Sequence, residues 1–225
     1  MIGAANNPMR RGIFFLLISV ILLPLPRVSI ARQSKKLEYG ILVDSTGSMR
    51  SQFDTVRSLA RAIVHQVHDH GSVSIFNFDS SGTGPATRAV AVARIEHTQD
   101  EGLLNRTIED LYIQGGQTTL LDAIKFMDER LRAQAGATDR IIVLITDGED
   151  RVSSEKQQDL VRQLKDDKIS VYAVGLVEEL EGGKSSKAKK LLTSLTKETG
   201  GNVVFPKGDR IDIQKVLAEL SLPVQ

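Results

Sequence analysis

Short apolar runs alternate with amphipathic stretches along almost the whole chain. Residues 39–43 (Tyr-Gly-Ile-Leu-Val) form a continuous apolar run that predicts a buried strand. A helix is predicted over about 52–67, where Val56, Leu59, Ala60, Ile63, Val64 and Val67 recur at helical spacing. Residues 72–78 read as the next strand, and 88–95 alternate in the manner of a half-exposed edge strand. Residues 103–111 and 120–131 are amphipathic helices, and 141–145 is the most apolar strand. The alternation then repeats: a helix at 155–165, a strand at 169–174, a Gly/Ser/Lys-rich loop at 178–184, a helix at 187–199, a short strand at 202–205 and a last helix at 211–220. This order predicts an α/β fold, doubly wound, with a mainly parallel central sheet and helices on both faces. In such sheets ligands bind beyond the carboxyl ends of the strands, at the topological switch point.

The first residues follow a different grammar. Arg10 and Arg11 precede an almost unbroken apolar run at 13–23, Pro24 ends it, and Ser29-Ile30-Ala31 offers small residues for cleavage. Residues 1–31 are therefore expected to be a signal peptide, or an uncleaved N-terminal anchor, followed by a linker at 32–36 and one domain at 37–221. Either reading places the folded part outside the cytoplasm, as a secreted, periplasmic or cell-envelope protein, with membrane contact only if the segment stays uncleaved.

Charge changes with that cut. Loss of Arg10, Arg11 and Arg27 leaves 26 of the 29 basic residues against 28 acidic ones, near neutrality. No basic patch argues for nucleic acid, and no Lys/Arg block argues for a membrane surface. The chain has no cysteine, which excludes a lipoprotein anchor, thiol catalysis and cysteine-based zinc sites. An exported domain without disulfides must rely on its core, and 194 residues suffice for one.

Candidate chemistry gathers where two apolar strands end. Ile41-Leu42-Val43 runs into Asp44, and 141–145 runs through Thr146 into Asp147. In a tight strand-to-helix loop, positions i, i+2 and i+4 converge, which brings Asp44, Thr46 and Ser48 together, while Gly47 lets the backbone turn. Hard oxygen donors of this kind suit Mg²⁺ or Mn²⁺, and suit the larger shell of Ca²⁺ less well. So few carboxylates leave an ion under-neutralised, able to exchange a water for a carboxylate on a ligand. Strand-end aspartates also cap helices by accepting backbone N–H bonds, which is the plainer reading of each one taken singly.

The motifs resemble those of von Willebrand factor type A domains, shared by integrin I domains. Asp44-Ser45-Thr46-Gly47-Ser48 is similar to the family's Asp-x-Ser/Thr-x-Ser motif. The segment Gly115-Gly116-Gln117-Thr118-Thr119-Leu120-Leu121-Asp122-Ala123 looks like its Gly-Gly-Thr-x-Leu-x-Asp-Ala segment, and Thr146-Asp147-Gly148-Glu149-Asp150 like its Thr-Asp-Gly-x-Asp segment. The likeness spans about 37–220 and implies one antiparallel edge strand, which fits 88–95. It also implies a metal-ion-dependent adhesion site with Asp44, Thr46 and Ser48 from the first loop, Thr118 from the second and Asp147 from the third. The implied function is non-enzymatic binding of a divalent cation and, through it, of an acidic group on a protein or other ligand.

Other features favour plainer readings. Asp122 lies inside a helix and reads as structural, and Glu149 and Asp150 read as solvated acids at the rim. His65 and His68 share a helix face at i, i+3, but no matching acid is evident and a helix C-terminus attracts histidine anyway. Gly183-Lys184-Ser185 lacks the preceding glycine of a phosphate loop. Alternatives to the binding module are an Mg²⁺-dependent phosphohydrolase and a structural component of an envelope assembly. The first needs a second acid two residues after its nucleophilic aspartate, where Thr46 stands, and no G-x-S-x-G elbow occurs.

Overall fold

A computed structural model describes residues 37–78, 91–134, 139–208 and 210–224, with positions 1, 3 and 136. The expected leader at 1–31 and linker at 32–36 thus lie outside the described residues, as do 88–90 of the expected edge strand.

Six strands form one sheet: β1 (Leu37–Asp44), β2 (Gly71–Phe78), β3 (Val92–Thr98), β4 (Asp139–Thr146), β5 (Ile169–Gly175) and β6 (Val203–Val204). Their order is β3-β2-β1-β4-β5-β6, with every pair parallel except β2–β3. The helices are α1 (Phe53–Val67), α2 (Glu101–Glu109), α3 (Leu120–Arg132), α4 (Gln157–Asp166), α5 (Lys184–Thr199) and α6 (Ile213–Leu220). From β1 the chain steps outward to β2 and β3, then returns to the far side of β1 to lay down β4, β5 and β6. That reversal puts the switch point between β1 and β4.

Alternation along the strands divides the core in two. Tyr39, Ile41 and Val43 of β1 and Ile141, Val143 and Ile145 of β4 face one way, packed with α1, α2 and α6 residues such as Val56, Leu59, Leu104 and Leu220. Leu42, Ile142 and Leu144 face the other, against Ile124, Leu164 and Leu195 of α3, α4 and α5. All eight residues of β1 are buried because strands flank it and helices cover both faces. Gly40 in its middle is required by α3: a Cβ there would lie 2.5 Å from Met127 Sδ.

Several boundaries differ from those expected. The edge strand runs on to Thr98, pairing with Val73 through a register shift. A tight 3₁₀ turn, Gly47–Gln52, occupies the loop before α1. Helix α2 starts two residues early because the Asp100 side chain accepts the Leu103 N–H at 2.9 Å, an N-cap that hydropathy alone does not reveal. Helix α5 starts at Lys184, inside the expected loop. Among the described residues no helix is long and apolar enough to cross a membrane.

Candidate metal centre

Three loops meet at the carboxyl ends of β1 and β4. The first follows β1, the second precedes α3, and the third follows β4. Backbone bonds fasten them together: Gln114 N–H to Ser45 O (3.0 Å) and Arg151 N–H to Thr118 O (2.9 Å).

Asp44 is fully buried at their junction. Thr46 donates to its Oδ1 from both the backbone N–H (3.0 Å) and the hydroxyl (2.6 Å), and Thr146 donates to its Oδ2 (2.7 Å). The Thr46 and Ser48 hydroxyls lie 3.1 Å apart, so the side chains at i, i+2 and i+4 do converge. Ser48 is exposed and shares with Asp147 the wall of a cavity of about 250 Å³. Burial and the neighbouring Asp147 charge push the Asp44 carboxyl up to about 7, against the hydrogen bonds from Thr46 and Thr146 that favour its charged form.

Asp147 is likewise buried. Its Oδ1 accepts the Glu149 N–H at 2.9 Å, while its Oδ2 is buried with no hydrogen-bond partner among the described residues. A bare buried carboxylate oxygen is costly unless something satisfies it. With a second carboxylate and two hydroxyls close by, the donor set fits a hard divalent cation. Thr118 is buried and joins the site through its main chain, its carbonyl accepting from Arg151. The adjacent Thr119 also keeps a buried hydroxyl without a partner among the described residues.

Two acids read as solvated are in fact tied down. Glu149 is 9 % exposed and paired with Arg151 (Nε 3.0 Å) and Lys184 (3.2 Å). Burial alone raises its carboxyl, but these cations outweigh that and hold it below the usual glutamate range. Asp150 is half-buried and accepts from the Ser153 hydroxyl (2.5 Å) and from the Leu120 and Leu121 N–H groups. Ser153 Oγ in turn accepts from the Leu121 and Asp122 N–H groups at 3.1 and 3.3 Å. Helix α3 is thus capped by the third loop and not by its own residue Thr119.

Asp122 returns the favour by accepting from Ser154 N–H (3.0 Å), Ser154 Oγ (3.1 Å) and Glu155 N–H (2.8 Å). Its replacement by alanine is expected to lower stability by about 1–3 kcal/mol, since both N–H groups lose their acceptor. A urea midpoint that drops at unchanged slope is the readout; an unmoved midpoint would show the reciprocal tie to be idle.

A six-stranded sheet with one antiparallel edge, helices on both faces and three loops meeting at the switch point defines the class to which the chain is assigned. The von Willebrand factor type A domain matches residues 40–219, and the chain belongs to that family. No curated protein is similar enough to count as a relative. Among solved structures the chain is similar to the conserved hypothetical protein BatB from Bacteroides thetaiotaomicron, at 17% identity and TM-score 0.62, covering 82% of this chain and 97% of that one. It is also similar to an aerotolerance-related membrane protein from Bacteroides fragilis NCTC 9343, at 17% identity and TM-score 0.58, covering 82% and 98%. A third is the pilus adhesin SpaC from Lactobacillus rhamnosus GG, at 14% identity and TM-score 0.59, covering 84% of this chain and 29% of that one. At these identities the likeness is one of fold.

Proposed function

We propose that the protein is an exported, non-enzymatic interaction module that binds a divalent cation, Mg²⁺ or Mn²⁺, and through it an acidic group on a partner protein. The observation that carries this reading is the bare, buried Oδ2 of Asp147 beside the buried Asp44. Asp44, Thr46, Ser48, Thr118 and Asp147 would hold the ion. When bound, the ion supplies a Lewis-acid point of attachment for a carboxylate. The residues themselves orient the oxygens and exclude bulk water around Asp44. Export rests on the leader pattern of residues 1–31.

The surroundings favour an acidic partner. Beyond Glu149 and Gly148 lies a groove of about 910 Å³ whose wall includes Arg151, Lys184, Lys187 and Lys190. The three lysines stand on the first two turns of α5, where the helix dipole also favours negative charge. Hydrolysis through Asp44 has no such support. That carboxylate is 0 % exposed, and the position two residues on holds Thr46, hydrogen-bonded to it.

Binding of a fluorescent oligoglutamate peptide, followed by anisotropy, tests the reading. Binding is expected with Mg²⁺, to vanish with EDTA and to return when Mg²⁺ is restored. Ser48→Ala is expected to weaken Mg²⁺ binding about tenfold or more while the circular dichroism spectrum stays unchanged, because Ser48 is an exposed loop residue. Peptide binding indifferent to EDTA would sink the proposal.

A further inference from the structure

On the face of the sheet covered by α1 and α2, a second cluster lies outside the loops of the first site. His65 and His68 stand on the last turn of α1 and just beyond it, and Glu101 opens α2. His65 Nδ1 is 2.9 Å from Glu101 Oε1, and His68 Nε2 is 3.4 Å from Glu101 Oε2. One donor atom from each of the three residues lies within 4.8 Å of the others. A tetrahedral zinc ion with ligands near 2.1 Å separates those ligands by about 3.4 Å. The cluster therefore needs only small rotamer adjustments to enclose an ion.

The charge around the cluster supplies a second argument. The Asp69 carboxylate stands beside the His68 ring, with Oδ1 3.2 Å from Nδ1, and adds a second negative charge to the neighbourhood of Glu101. The negative end of α1 adds a favourable field for a cation.

We propose that His65, His68 and Glu101 form a site for Zn²⁺, with a fourth position open to water, that staples the end of α1 to the start of α2. Two imidazoles and one carboxylate match three-ligand zinc sites and disfavour Mg²⁺, which prefers an oxygen shell. The site does not depend on the cation proposed at Asp44.

Calorimetric Zn²⁺ titration in excess Mg²⁺ provides the test, on the full chain and on Asp44→Ala, His65→Ala, His68→Ala and Glu101→Gln. One equivalent of Zn²⁺ is expected in the parent and in Asp44→Ala, with affinity about 100-fold weaker in either histidine variant and about tenfold weaker in Glu101→Gln. Co²⁺ in the parent should give the intense visible bands of a tetrahedral ion, absent from His65→Ala. The His65 side chain is 79% exposed, so its removal leaves the fold intact even if His68→Ala does not. Zinc affinity unchanged in His65→Ala, or no zinc bound by Asp44→Ala, would overturn the assignment. Loss of the Mg²⁺ response alone would count against the first site and leave this one standing.

Discussion

Asp44→Asn is expected to melt well above the parent in EDTA and to show no response to Mg²⁺. Burial and the Asp147 charge raise the Asp44 carboxyl from 3.8 to about 7 in the folded protein. Below about pH 4 the carboxyl is protonated in both folded and unfolded chains and contributes no difference. Between about 4 and 7 the folded form keeps a proton that the unfolded form releases, so metal-free stability falls as pH rises. Above 7 the accumulated loss amounts to about 4 kcal/mol. Asparagine is spared that loss and still offers an oxygen to Thr46 and an amide to Thr146. The gap in melting temperature between variant and parent should therefore be small at pH 4 and widen to a plateau above 7. Cation binding must displace the same proton, so parent Mg²⁺ affinity should fall about tenfold per pH unit below 7. Parallel melting curves for variant and parent across this range in EDTA would refute the account.

Gly148→Val is the second change with a large expected effect. Gly148 follows Asp147 with φ 74°, and a Cβ there would meet Leu192 Cδ1 at 2.8 Å and Ala188 Cβ at 3.1 Å. A β-branched residue is strained at that angle, and α5 has no room for it. Together these should cost about 2–5 kcal/mol, read from the urea midpoint. The loop can escape only by moving off α5, which shifts Asp147 and breaks the Gly148 N–H bond to Thr146 Oγ1 (3.0 Å). Mg²⁺ binding should vanish even under conditions where the variant stays folded. Retained Mg²⁺ affinity in folded Gly148→Val would show that the loop's contact with α5 does not position Asp147.

What the sequence disclosed divides along the chain distance of each interaction. The strands and helices were legible because their apolar residues repeat locally, and the convergence of Asp44, Thr46 and Ser48 because it spans five residues of one loop. Thr146 looked like a mere step between strand and Asp147, yet its hydroxyl bonds Asp44 across 102 residues. Glu149 looked solvated because nothing near it in sequence announces Lys184 as a partner. The cap of α3 comes from Ser153 and Asp150, about thirty residues on, so nothing beside Leu120 in the sequence announces it. The acid for His65 and His68 was invisible for the same reason, since Glu101 arrives on another helix. Element ends moved where a side chain such as Asp100 began a helix earlier than hydropathy would.

The place of β1 has a mechanical side. Leu37 stands at one end of this strand and Asp44 at the other, and parallel neighbours run alongside for eight and seven paired positions. A partner held at the Asp44 loop, with the chain tethered before Leu37, would pull β1 along its own axis. The hydrogen bonds to β2 and β4 then carry the load in shear, all at once, where peeling would break them one by one.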